Sequence, residues 1–143
     1  MITLDEFVER LCKVGADRGP RSFPRSGDDR EILFQSIVLT LDSGRSYTER
    51  EINDALQAWN RDVAPAIEID HVTLRRKLVD YGRLERTADG RAYRVGFPPK
   101  ATAFDLRIWD VDLPGTIAAY QEWAADKRKA GRAEASARRG RER

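Results

Sequence analysis

Asp70-His71-Val72-Thr73-Leu74-Arg75-Arg76-Lys77-Leu78-Val79-Asp80-Tyr81-Gly82-Arg83-Leu84-Glu85-Arg86 holds a capped helix, its stop signal and the first strand of a hairpin. Asp70 is an N-cap residue, and Gly82 supplies the left-handed step that ends a helix running from about His71 to Tyr81. Leu84-Glu85-Arg86 and Ala92-Tyr93-Arg94-Val95 alternate as strands do. Thr87-Ala88-Asp89-Gly90 between them carries the Asp-Gly pair that favours a tight hairpin turn.

Upstream, Thr48-Glu49-Arg50-Glu51 reads as a capping box, and Ile52, Leu56 and Trp59 give the helix it opens an apolar face. Arg45-Ser46-Tyr47 is a brief extended piece before it. An earlier helix starts near Asp28 or Asp29, carries Ile32, Leu33, Ile37, Val38 and Leu41 inward, and stops at Asp42-Ser43-Gly44. The order helix, short strand, helix, helix, hairpin predicts an α+β, mainly α fold. Its core is a winged helix-turn-helix at residues 24–96 with a small antiparallel hairpin as the wing.

Tyr47-Thr48-Glu49-Arg50-Glu51-Ile52-Asn53, then residues 70–86 as quoted, then Asp89-Gly90 and Tyr93, together resemble the bacterial family DUF2087 over about residues 24–96. The resemblance implies a winged-helix-like fold and a role in transcriptional regulation. Two departures stand out. Residues 61–69 make a longer connection between the two helices than the family pattern has, and Arg94 stands where an aromatic often follows Tyr93.

Around the 71–81 helix, at about 100° per residue, His71, Leu74, Leu78 and Tyr81 share one face. Thr73, Arg76, Asp80 and Arg83 face the other way, with Val72 and Lys77 between them. An outward face of this kind suits the DNA major groove, where arginine pairs bidentately with guanine and Thr or Lys engages phosphate. Thr73, Arg76, Lys77 and Arg83 are therefore the candidate nucleic-acid residues of the helix, with Arg91 and Arg94 as backbone contacts from the wing. A plain solvated helix face carries the same residue types, and Asp80 repels phosphate. Arg75 projects beside the core face and reads as a structural ion pair, with Asp70, Asp62 or Glu51 as partner. Asp70 is a structural cap. His71 reads as a core histidine, because no second histidine or cysteine stands at ligand spacing.

The flanks extend this core in both directions. Thr3 and Glu6 open a short helix with Leu4, Phe7, Val8 and Leu11 on one stripe, ended by Gly15, and residues 15–27 read as a linker. Past the hairpin, Gly96-Phe97-Pro98-Pro99 breaks regular structure, and the alternation of Phe104, Leu106, Ile108 and Val111 around Trp109 predicts a strand or extended arm. Pro114 begins a last helix with Ile117, Tyr120, Trp123 and Ala124 on its buried side, fraying toward its end. The segments are thus 1–23 (helix and linker), 24–96 (winged helix) and 97–143 (arm, helix and basic tail).

The net charge of +2 conceals a split. Residues 127–143 hold eight basic residues, among them Lys127, Arg128, Lys129 and Arg132, against Glu134 and Glu142, a net of +6. The remaining 126 residues hold 18 basic and 22 acidic ones, a net of −4. Residues 46–95 carry nine of each sign, so the central domain is neutral. The tail is a candidate electrostatic arm for DNA or RNA.

With 41% hydrophobic and 35% charged residues, the chain can bury one core but is too charged to be interior throughout. No apolar run of about 18 residues marks a membrane span, and the first residues lack a secretory pattern. Single residues Cys12 and His71 make neither an internal disulfide nor a zinc site, so a reducing cytoplasm is the expected compartment. No nucleophile–base pair, phosphate-cradling glycine loop or metal signature is present, so the expectation is a non-enzyme without cofactor. Two functions follow. One is a DNA-binding regulator reading the major groove, with a homodimer through its terminal helices as the assembly that two half-sites call for. The alternative is a non-catalytic protein or ribonucleoprotein interaction module on the same scaffold, using its basic tail.

Overall fold

A computed structural model describes residues 1–141, so Glu142 and Arg143 of the tail lie outside the described residues. The elements follow in the order α1 (Leu4–Gly15), α2 (Gly27–Leu39), β1 (Tyr47–Thr48), α3 (Glu49–Asp62), α4 (His71–Asp80), β2 (Leu84–Arg86) and β3 (Ala92–Val95). A 3-10 helix (Leu106–Asp110) and α5 (Leu113–Arg141) complete them. The fold is mainly helical, with one small antiparallel sheet in the order β1-β3-β2.

The helix starts follow from side chains that take up otherwise unpaired backbone donors. The Glu51 backbone N–H donates to Thr48 Oγ1 (3.1 Å) while the Thr48 N–H donates to Glu51 Oε1 (3.0 Å), closing a reciprocal box. Asp70 Oδ1 accepts from the Thr73 N–H at 2.9 Å. Thr3 caps α1 by accepting from the Glu6 N–H, but the Glu6 carboxylate turns to Arg10 instead of closing a second box. After α4, Gly82 at φ +73° reverses the chain into β2, a conformation open to glycine without strain. The β2–β3 hairpin pairs Leu84 with Val95, Glu85 with Arg94 and Arg86 with Tyr93. β1 adds Tyr47 opposite Tyr93 on the other edge of β3.

One hydrophobic cluster draws on every helix and on the sheet. Phe7 and Leu11 of α1, Leu33 and Phe34 of α2, Ile52 and Trp59 of α3, Leu74 and Leu78 of α4, Leu84 and Tyr93 of the sheet, and Ile117 of α5 all meet there. The Trp59 indole N–H donates to Ser36 Oγ (2.9 Å), and that hydroxyl donates to the Leu33 carbonyl, so both buried polar groups are satisfied.

Residues 15–27 do not hang free as a linker. Phe23 is buried, the Arg21 N–H donates to the Ala66 carbonyl and the Glu68 N–H donates to the Arg21 carbonyl. The long connection between α3 and α4 is thereby pinned, with Asn60 Nδ2 donating to the carbonyls of Ala64 and Ile67. Residues 104–111, expected as a strand or extended arm, are mostly a 3-10 turn. Asp105 caps a 3-10 turn, and only Phe104 makes an isolated parallel bridge, to Ile2. Among the described residues no helix is long and apolar enough to cross a membrane.

Candidate nucleic-acid interface

α4 packs Leu74 and Leu78 against α3 and the sheet, which leaves Thr73, Arg76 and Asp80 exposed. The hairpin lies beside it. Between the two is an open depression of about 350 Å³ lined by Arg75, Arg76, Val79, Asp80, Arg86 and Tyr93. Among the described residues Arg76, Arg86 and Arg91 are in no ion pair and are exposed, so their charge is available to a partner.

The other predicted contacts are less free. The Thr73 hydroxyl donates to Asp70 Oδ2 at 2.7 Å, joining the cap. The backbone N–H and then the hydroxyl of Thr73 hold the Asp70 carboxyl below the usual carboxylate range. Lys77 lays its ammonium over the rings of Phe23 (5.5 Å) and Tyr81 (5.9 Å), so it is half-buried at the edge of the face. Arg94 Nε pairs with Glu85 Oε2 across the hairpin at 3.2 Å, and its charge is largely answered. Arg91 stands at the turn, where its backbone N–H donates to Asp89 Oδ1.

Arg83 is a correction. It is 6% exposed and points inward, pairing with Glu31 of α2 and lying 5.7 Å over the ring of Phe34. Glu31 also holds Arg30 at 3.0 Å. Arg83 therefore ties the exit of α4 to α2 and does not belong to the outward face. The helical wheel that placed it outward extends past Gly82, where the positive φ changes the direction of the next side chain.

Arg75 lies beside the core, 12% exposed, over the Tyr93 ring at 5.6 Å. Its partners are Glu49 (3.0 Å) and Asn53 of α3, not Asp70, Asp62 or Glu51. Glu51 is committed to Thr48 and Arg45 instead, and the Thr48 N–H above all holds its carboxyl low. His71 is not a core residue. It is half-buried at the α3–α4 edge, with Nδ1 3.1 Å from Gln57 Nε2.

In the C-terminal helix Lys127 lies 4.7 Å over the Trp123 ring and Arg128 reaches Asp17 at 3.7 Å. Lys129 and Arg132 are exposed and far along a helix that runs to Arg141. Among the described residues no group of three or more His, Cys, Asp and Glu side chains is placed to hold a metal ion. Cys12 is buried, and desolvation pushes its thiol pKa up.

Arg86 is the residue that sequence reasoning passed over. Its signal is the alternation of β2: Arg86 lies two positions past Leu84, on the same side of the sheet. The core ends at Leu84, so Arg86 continues that side beyond the apolar edge to the depression beside α4. Gly90 leaves room for it, since a Cβ there would lie 2.6 Å from Arg86 Nη2.

No curated protein and no solved structure matches the chain. A family profile does match, over residues 21–95, which takes in α2, β1, α3, α4 and the whole hairpin. That span is more than half of the sequence and contains every helix and strand around the depression. The chain belongs to the family described as uncharacterized protein conserved in bacteria, DUF2087.

Proposed function

We propose that the protein is a DNA-binding transcriptional regulator of winged helix-turn-helix type, with α4 entering the major groove and the β2–β3 hairpin acting as the wing. The observation that carries this reading is the pairing of Arg76 on α4 with Arg86 on the hairpin. Both are exposed and uncommitted on the two walls of one depression, while the neighbouring Arg75, Arg83 and Arg94 are held by carboxylates. Neutralised arginines build the scaffold, and the remaining ones are left to meet phosphate and base edges. The element order supports the same reading, since β1 pairs with the hairpin beneath the α3–α4 unit.

The test is selection of duplexes from a random pool with the full chain, followed by binding of Arg76→Ala to the selected sequence. Arg76→Ala is expected to weaken that duplex by about 1–3 kcal/mol and to relax preference at one position. Arg86→Ala and Arg91→Ala are expected to weaken all duplexes alike. Failure of the full chain to enrich any sequence sinks this reading.

A second reading, a protein-interaction module, is favoured by one observation. Phe97 (73% exposed) and Trp109 (48% exposed) flank a depression of about 220 Å³ on the far side of the hairpin exit. Under that reading Arg76→Ala has no effect on partner binding, and Trp109→Ala abolishes it. A homodimer through the terminal helices would centre on Trp123 and Tyr120, the aromatic pair at the base of α5.

A further inference from the structure

The last part of α5 leaves the body altogether. From Ala125 to Arg141 every residue is exposed except Arg128, over a length of about 24 Å at the usual helical rise. Residues 126–141 carry Lys127, Arg128, Lys129, Arg132, Arg138, Arg139 and Arg141 against Asp126 and Glu134, a net of +5. The only apolar side chains in this stretch are alanines, so the arm has no face with which to grip a protein groove or a second helix. Its like charges also sit close together. Arg128 and Arg132 are four apart, and Lys129–Arg132 and Arg138–Arg141 are three apart, spacings at which repulsion weakens an isolated helix.

The base of the arm is fixed to the body near α1 and α3, the helices that α5 packs against. Arg128 is tied to Asp17, and Arg21, four residues on, bridges Ile67 just before the Asp70 cap. The base of the arm is thus anchored to the segment that also pins the 63–70 connection.

We infer that residues 127–141 form a sequence-independent clamp for the phosphate backbone of duplex DNA, stabilised as a helix by the duplex. A duplex presents about one negative charge per 1.7 Å of axis, and the arm meets it with two basic clusters, residues 127–132 and 138–141. The arm needs nothing from the sequence-reading proposal for α4: a chain whose α4 reads no bases still binds through it.

The experiment uses the full chain and a full-length variant with Lys127, Lys129, Arg132, Arg138, Arg139 and Arg141 all replaced by Gln. Arg128 is kept because it anchors the base. Binding to a random-sequence duplex is followed by fluorescence anisotropy from about 50 to about 200 mM salt, and helicity by circular dichroism. The native chain is expected to lose affinity on the order of a thousandfold across that range, as about six released counterions require. The Gln variant is expected to have a log–log salt slope shallower by about 5. Duplex is also expected to raise the helicity of the native chain and leave that of the variant unchanged. An unchanged salt slope in the variant overturns the inference. So does equal affinity of the native chain for polyglutamate or for anionic lipid vesicles at matched charge. A failure of the α4 reading registers separately, as an Arg76→Ala chain that keeps native duplex binding.

Discussion

Arg76 and Arg83 stand seven positions apart with opposite fates, and single substitutions separate them. Arg83 shares Glu31 with Arg30 in a nearly closed site, so Arg83→Met strands part of a buried charge. The expected loss is about 2–4 kcal/mol in urea unfolding, below the full penalty for an orphaned buried ion because Arg30 remains. Arg76→Ala removes a solvated side chain and is expected to change stability by less than about 0.5 kcal/mol while it alters duplex binding. Ser36→Ala tests the interior in the same way. It leaves the Trp59 N–H buried without an acceptor and is expected to cost about 1–3 kcal/mol, readable as a lower urea midpoint with an unchanged slope. The identity of these residues is printed in the sequence, but their roles are not. Arg83 and Arg76 look alike until Gly82 is known to reverse the backbone, and Arg75 finds Glu49 and Asn53 only once α3 and α4 have docked.

The elements themselves were legible wherever a local device sets them. Asp70 at the start of α4, the Thr48–Glu51 box and the Asp89-Gly90 turn are chemistry within a few residues of chain, and α3, α4 and the hairpin fall where that chemistry puts them. The alternation of residues 104–111 mimics a strand or extended arm, while Asp105 accepts from the Arg107 N–H and winds the chain into a 3-10 turn. The same carboxylates give a pH signature. The Arg107 side chain, followed by the Arg107 N–H, lowers the Asp105 carboxyl to about 2, and Asp70 is also held low. A depressed folded value means that the unfolded chain takes up the proton first. These contributions are therefore complete above the ordinary carboxylate value of about 4 and lost as pH falls through the folded one. For Asp105 that window runs from about pH 4 to about pH 2. Asp105→Asn is expected to flatten the stability–pH curve in that window, and a carbon-detected carboxyl titration gives the site value directly. Asp70→Asn should keep a cap acceptor and nearly the native melting point, whereas Asp70→Ala lowers it by a few degrees.

Across the whole molecule the flanks and the centre share one core. The first helix and the start of the last one enter the same core as residues 24–96, through Phe7, Leu11 and Ile117. Long-range packing of this kind leaves no local trace, since an amphipathic stripe says that a face is buried and not what covers it. Hydrogen exchange should divide the chain at a different place. Amides of α3 and α4 are expected to exchange only through global unfolding, while those beyond Arg128 exchange orders of magnitude faster in the absence of a polyanion. The projecting arm has one further consequence, for the order of events. A body of net −4 with its positive charge displaced to one end is an oriented charge distribution, and a polyanion exerts a torque on it before any contact forms. If the proposed DNA-binding role holds, the arm is expected to turn toward the duplex first while the acidic body is held off. In stopped-flow binding to duplex, salt is then expected to act chiefly on the association rate and substitutions in α4 on the dissociation rate.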